Sequence, residues 1–381
     1  MPKISLLWLA AEASCFAAFR SGEIWLDTDG NPIDAHGGGF LLDGGVYYWY
    51  GSARNGMSPP CCLDRGVNLY TSTDLYSWTH RGLVLHAFNS STDNGLSLER
   101  PKVIRCTGTG QYVMWVRGSA LASQLLAVAT SDAPTGPFRF VGDQTDPFRT
   151  VARGGPNFRA GYQYGDATLF QDPRTGRAYV YWRTRWHQTG FRGMELTEDC
   201  TDVRPESDTQ LFATPNREAP AVFFANERFY LWVSGCMGWA PTTTHLYTAP
   251  TALGCFNCSG LNNSKGWLVG WQPPPIPVPN QSGNQKQRNR PGVWAFGSQS
   301  TFILANPLYR KGSALAPFVY MADRWTPKNN VSFGTYVWLP LFIDPQNASR
   351  VRVLWRASWR LDNATSPFGA RRAPNSSVSV T

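Results

Sequence analysis

His36-Gly-Gly-Gly-Phe40, followed after a turn by Val46-Tyr-Tyr-Trp-Tyr50, is the stretch that decides the fold, because its pattern returns four more times. The later copies are Glu99-Arg-Pro-Lys-Val-Ile104 with Tyr112-Val-Met-Trp-Val116, and Asp166-Ala-Thr-Leu-Phe170 with Tyr179-Val-Tyr-Trp182. Glu218-Ala-Pro-Ala-Val-Phe223 with Phe229-Tyr-Leu-Trp-Val233, and Gln299-Ser-Thr-Phe-Ile-Leu304 with Phe318-Val-Tyr-Met321, complete the set. Each copy opens on a polar residue, runs through a short apolar stretch and ends in a dense aromatic strand. Repetition at this period marks a repeat architecture. Strand-rich repeats of this length predict an all-β chain, a five-bladed β-propeller with one blade per repeat around a central channel. The leading residue has the same place in every repeat. His36, Glu99, Asp166, Glu218 and Gln299 are therefore expected to converge on the axis, and three acids with an amide in one pocket read as a catalytic site.

Strand signals dominate elsewhere too: runs rich in Val, Tyr, Phe and Trp, bounded by Gly, Pro, Asn and Asp. Asp43-Gly-Gly45 and Asp172-Pro-Arg-Thr-Gly176 read as hairpin turns. Residues 21–361 read as one propeller domain, with Tyr336 to Leu341 and Val351 to Trp359 completing blade five. Residues 254–295 break the rhythm with the Pro-rich run Gln272 to Pro279 and read as a long irregular insertion. Residues 362–381 read as a disordered tail.

The formal charge is +9, from 35 Lys and Arg against 26 Asp and Glu. The basic residues are dispersed apart from Lys286-Gln-Arg-Asn-Arg290 and Arg371-Arg372, which argues against a nucleic-acid surface. Met-Pro-Lys followed by Ile4 to Ala11 and Ala11-Glu-Ala13 suggests a secretory signal peptide over residues 1–20. Asn89, Asn257, Asn262, Asn280, Asn330, Asn347, Asn363 and Asn375 each begin an Asn-x-Ser/Thr sequon, which favours a secreted glycoprotein. No other apolar run is long enough to span a bilayer. Eight cysteines fit disulfides in an oxidising compartment. Cys255-x-x-Cys258 lacks a second pair and a nearby His, so no zinc site is expected. No loop argues for a structural calcium in the channel, and no cofactor is expected. The 16 Trp are compatible with a glycan partner without showing one, and the chain is expected to act as a monomer.

At these residues the chain resembles glycoside hydrolase family 43, and within it the exo-β-1,3-galactanase branch. The matching segments run nearly the whole chain in order. They include Asp27 to Gly39, Tyr47-Tyr-Trp-Tyr-Gly51, Glu99-Arg-Pro-Lys-Val103, Ser131 to Phe138, Asp166 to Phe170 and Glu218-Ala-Pro-Ala221. Ser234-Gly-Cys-Met-Gly-Trp-Ala-Pro241, Gly297-Ser-Gln-Ser-Thr301, Asp323-Arg-Trp325 and Tyr336 to Pro340 continue it. The resemblance implies a five-bladed propeller and inverting hydrolysis. It makes Glu218 the general acid and Asp166 the carboxylate that tunes it. It looks to Gln299 to hold the water, through an imidic tautomer, with Glu99 as a further essential carboxylate or the base itself. His36, Gly37, Gly38, Trp239 and Trp325 are candidate sugar contacts. Ser52 stands where the branch has an acid, Met237 where it often has Thr, and Gly118 to Ser123 lack an expected Tyr. These departures touch the galactose contacts rather than the core chemistry.

Inverting hydrolysis needs an acid at the leaving oxygen and a base on the opposite face, roughly 6.5–9.5 Å apart. Strands facing each other across an axis can supply that separation. A carboxyl at Glu218, buried near Asp166, is expected to have a raised pKa from desolvation and like charge. A single acid before a strand is ordinarily a cap or a surface group, and it is the equivalent placement in successive repeats that changes the reading. No nucleophile elbow, phosphate loop or dinucleotide fingerprint is present. Two alternatives stay open: an arabinofuranosidase or xylosidase of the same fold, and a glycan-binding propeller without turnover.

Overall fold

The computed structural model describes residues 17–54, 66–87, 97–120, 123–141, 164–184, 190–212, 216–238, 241–254, 267–268, 270–271, 295–325 and 334–368. The expected signal segment, apart from its end, lies outside these residues, as do Trp239, both cysteines of the Cys255-x-x-Cys258 pair and all sequons but Asn347 and Asn363.

Among the described residues the chain is almost wholly β, with helix confined to short 3-10 turns. Blade one consists of His36–Asp43 (β2), Val46–Ser52 (β3), Gly66–Ser72 (β4) and Thr79–His86 (β5). Blade two is Ser97–Arg105 (β6), Tyr112–Ala120 (β7), Ser123–Ser131 (β8) and Arg139–Phe140 (β9). Blade three is Tyr164–Gln171 (β10), Ala178–Thr184 (β11), Phe191–Glu195 (β12) and Thr209–Phe212 (β13). Blade four is Arg217–Ala225 (β14), Arg228–Gly235 (β15), Thr244–Ala249 (β16) and Trp267–Leu268 (β17). Blade five is Gln299–Ala305 (β19), Phe318–Arg324 (β20), Thr335–Asp344 (β21) and Asn347–Val353 (β22), with Gly270–Trp271 (β18) added in parallel at its outer edge. The innermost strands β2, β6, β10, β14 and β19 touch in turn, and β19 returns to β2 to close the ring.

Four expectations are corrected. The 254–295 segment is not wholly irregular, since it supplies β17 to blade four and β18 to blade five. Ser358–Trp359 (β23) does not complete blade five; it pairs antiparallel with Phe19–Arg20 (β1). The end of the presumed leader thus belongs to the propeller, where Phe19 is buried against Trp338 and Trp359. Residues 362–368 are also structured: Ala364 is buried, and its carbonyl accepts the Ala316 N–H at 2.9 Å.

Local sequence explains the hairpins. Gly44 and Gly45 both have positive φ, as a type I′ two-residue turn requires. The core is five seams, one between each pair of neighbouring blades. The aromatic strands of the repeat fill them: Trp49, Trp115, Trp182, Trp232 and Tyr320 are all buried. Each is a large apolar body whose burial is worth on the order of 2–3 kcal/mol. Cys106 and Cys200 are disulfide-bonded, joining blade two to blade three.

Candidate active site

In every blade the innermost strand slips register around its leading polar residue. The shifts fall between His36 and Gly39, Glu99 and Lys102, Tyr164 and Ala167, Glu218 and Ala221, and Ser300 and Phe302. A bulge re-aims the side chain beside it. The residues directly after His36, Glu99 and Glu218, namely Gly37, Arg100 and Ala219, take φ of 61°, 53° and 55°. Arg and Ala occupy that left-handed region at a cost, and such strain gathers at functional sites.

The five strands bring the leading carboxylates and the amide together through arginines. Asp166 Oδ2 accepts from Arg100 Nε at 2.9 Å and from the Ala219 N–H at 3.0 Å. Arg117 Nη1 lies 3.6 Å from Asp166 Oδ1 and also donates to Glu99 Oε2. Arg54 Nη2 approaches Glu99 Oε1 at 3.4 Å. Arg183 Nη1 donates to Glu218 Oε2 at 3.2 Å, while Gln299 Nε2 donates to Glu218 Oε1 at 3.0 Å.

The two neighbouring acids are driven apart. Burial pushes the Glu218 carboxyl up, and the negative charge of Asp166 adds to this, so Glu218 stands at about 7. Burial also opposes ionisation of Asp166, but the Arg100 and Arg117 guanidiniums and the hydrogen bonds from Arg100 and Ala219 outweigh it and hold Asp166 at about 2. One carboxyl can therefore carry a proton near neutral pH while its neighbour stays ionised, the pattern that separates an acid from its charged partner. Burial, then Glu218, pushes the Cys236 thiol up to about 11.

Glu218, Asp166, Glu99 and Gln299 are thus linked in one network. The blade-one residues lie differently. The His36 ring is 1% exposed, stacked on Tyr336 and close to Trp325, with Nε2 3.6 Å from Asp34 Oδ1. The Gly37 N–H donates to Asp323 Oδ2 at 2.5 Å, and Lys102 Nζ donates to the Gly37 and Gly38 carbonyls at 2.9 and 3.2 Å. A Cβ on Gly38 would stand 2.4 Å from Trp49 Nε1. The glycines serve close backbone approach. Trp325 is buried, its indole N–H donating to Gln299 Oε1 at 3.0 Å and its ring 5.2 Å from the Arg54 guanidinium. Among the described residues no group of three or more His, Cys, Asp or Glu side chains could hold a metal ion.

The model of the family Glycosyl hydrolases family 43 matches residues 39–263, more than half of the chain. The chain belongs to glycosyl hydrolase family 43. Its five-bladed architecture is that family's fold. A family 43 β-1,3-galactosidase solved with galactodeoxynojirimycin is 30% identical, with TM-score 0.66, covering 90% of this chain and 100% of that one. A second family 43 β-1,3-galactosidase is 28% identical with TM-score 0.69, covering 90% of this chain and 63% of that one. An exo-β-1,3-galactanase from Clostridium thermocellum is 28% identical with TM-score 0.69, covering 92% of this chain and 68% of that one. The chain thus spans less than two thirds of one of these relatives. No curated protein matches it.

Sequence reasoning missed Arg54, Arg117 and Arg183 and gave Arg100 no role. A signal was present. The second strand of each repeat carries a polar residue shortly after its aromatic run: Ser52, Arg117, Arg183, Ser234 and Asp323. Four of these face the leading residues by register, as His36–Ser52, Glu99–Arg117, Glu218–Ser234 and Gln299–Asp323 pairs.

Proposed function

We propose that this family 43 chain is a glycosidase that hydrolyses β-1,3-galactan-type glycans with inversion, acting from the chain end and releasing galactose. The observation that carries the chemistry is the Glu218–Asp166 pair, one carboxyl raised to about 7 beside one held at about 2. Glu218 protonates the leaving oxygen. Asp166 stays anionic and keeps that proton in place. A water attacks the anomeric carbon from the opposite face. The substrate class is supported by the named activities of the relatives above, two β-1,3-galactosidases and an exo-β-1,3-galactanase. Secretion is supported by the disulfide and by the exposed sequon residues Asn347 and Asn363.

The test is Glu218→Gln. Turnover of β-1,3-galactan should fall by roughly 10²–10⁴-fold, the usual contribution of one general acid. An aryl β-galactoside, whose leaving group needs less protonation, should lose less. Equal losses on both substrates argue against the role. NMR of the nascent sugar should show the α-anomer first.

A further inference from the structure

We propose that the Lys102 ammonium fills a cation site built from main-chain carbonyls, and that from there it acts as a positioning residue for the acid pair. For its effect on turnover the proposal rests on the acid–base reading above. Lys102 directly follows the bulge in β6 and is only 3% exposed. A lysine is almost never buried without partners. Here Nζ donates to the carbonyls of Gly37 at 2.9 Å, Gly38 at 3.2 Å and Pro101 at 3.4 Å.

The three carbonyls share one origin. β2 leaves its ladder with β3 between His36 and Gly39, and β6 leaves its ladder with β7 between Glu99 and Lys102. Gly37, Gly38 and Pro101 are among the residues skipped. A bulge removes ladder partners, and a buried carbonyl then needs another donor. Three acceptors around one point match the three N–H groups of an ammonium. A neutral amine would turn a lone pair onto one of the oxygens. Carbonyl oxygens gathered in this way are also the ligands a hard cation takes. Burial, and then Arg100, push the amine well below its ordinary pKa, while Asp323 and Asp166 pull it back up. Asp323 also accepts the Gly37 N–H at 2.5 Å. Gly37 is thus held at its N–H by an anion and at its carbonyl by a cation.

The glycines of blade one make room for this. A Cβ on Gly39 would stand 2.7 Å from Lys102 Cδ and 2.7 Å from the Pro101 carbonyl oxygen, so its absence lets the lysine stem pass. A Cβ on Gly37 would meet the Arg100 backbone nitrogen at 3.4 Å, so the two bulges lie back to back. Arg100 sits there with φ of 53°. Such a conformation persists only where its surroundings over-determine it. Lys102 does so by tying Pro101 to Gly37 and Gly38. Arg100 in turn holds Asp166 through Nε at 2.9 Å. The ammonium therefore acts on the acid pair through Arg100.

The experiment compares the wild type with Lys102→Met and Lys102→Ala. In Lys102→Ala, n-propylammonium chloride supplies the missing atoms from Cγ to Nζ. The controls are 1-propanol, which lacks the charge, and tetramethylammonium chloride, which lacks the N–H groups. Turnover of β-1,3-galactobiose should fall by roughly 10²-fold in both variants, the scale of an ångström-sized misplacement. n-Propylammonium should restore most of the loss in Lys102→Ala, saturably, and raise its melting temperature; neither control should. Glu218, titrated by NMR with ¹³C-carboxyl glutamate, should move up in Lys102→Ala, because Arg100 lowers it in the wild type, and should return with n-propylammonium. NMR of ¹⁵N-lysine in the wild type at neutral pH should show Nζ as an ammonium with slowly exchanging protons, coupled to the Gly37 and Gly38 carbonyl carbons. That readout needs no variant to fold. Near-wild-type turnover of Lys102→Met overturns the proposal, as does a neutral Lys102 amine. Equal rescue by either control overturns it too, and so does a melting temperature restored without turnover and without the Glu218 titration. A wild type inert on galactobiose counts against the functional reading, and the melts and NMR then decide the proposal without substrate.

Discussion

Asp166 fastens the residue that follows Glu218 rather than Glu218 itself: its Oδ2 accepts the Ala219 N–H at 3.0 Å. Ala219 takes φ of +55°, so this bond helps hold a strained peptide next to the acid. It also keeps an anion close to Glu218, which adds to burial in raising that carboxyl. Position and acidity are thus controlled by one side chain.

Asp166→Asn should separate the two effects. The amide oxygen can still accept the Ala219 N–H, but the charge is gone. A protonated Glu218 is the working form, so activity is lost as pH rises through its pKa of about 7. Without the Asp166 anion, and with Arg100 and Arg117 less compensated, that pKa falls. The alkaline limb of the pH–rate profile should move to lower pH, and turnover at pH 7 should drop.

Asp323 carries a linked prediction for stability. It is wholly enclosed, and burial pushes its carboxyl from 3.8 to about 6 against the opposing pull of the Gly37 N–H and of Arg100. A raised folded-state pKa means a contribution present below the unfolded value and lost as pH rises through the folded one. Asp323→Asn keeps an acceptor for the Gly37 N–H and removes the titration. The melting temperature of the variant should rise relative to wild type between pH 4 and pH 7. A constant difference over that range refutes the assignment.

Gly38→Ala is expected to cost about 1–3 kcal/mol, the range for overpacking a filled interior. Its Cβ would stand 2.4 Å from Trp49 Nε1 and 2.9 Å from the Tyr50 carbonyl oxygen. Urea unfolding measures the loss. A variant as stable as wild type would show that the blade-one strand has room to move.

Replacing Cys106 and Cys200 together by Ser should lower stability by about 2–5 kcal/mol, because the bond closes a long loop in the unfolded chain. The two residues are 94 apart in sequence. Catalytic parameters should change little, since the bond lies at the blade two–three seam. Thermal melts with and without reductant give the same comparison in the unaltered chain.

The ring and its leading residues were legible because both are written locally. A blade's innermost strand must begin polar at the pocket and turn apolar at once, and five copies of that switch give the blade count. The arginines were not legible for the opposite reason. Arg117 lies three residues inside the end of β7 and Arg183 next to the end of β11, positions where a long cationic side chain ordinarily reaches for water. Their burial exists only once neighbouring blades close over them. The same holds at the chain's start: Phe19 follows an apolar run and reads as part of a leader, while its partner Trp359 lies at the other end of the sequence. The strands β17 and β18 are two residues each, too short to show alternation.

The seam between blades one and five has a further consequence. The bonds that cross it, Gly37 to Asp323 and Ala35 to the Tyr336 hydroxyl, join residues 286 and 301 apart. Contacts of that span close late in folding, because the loop entropy falls due before they form. Gly37 adjoins His36 on β2, and Asp323 pairs with Gln299, so the last closure of the ring is also the assembly of the pocket. During refolding, the gain of catalysis should lag behind the gain of strand signal. Force applied to the two ends should part the β1–β23 pair first and then this seam, and with it the active site.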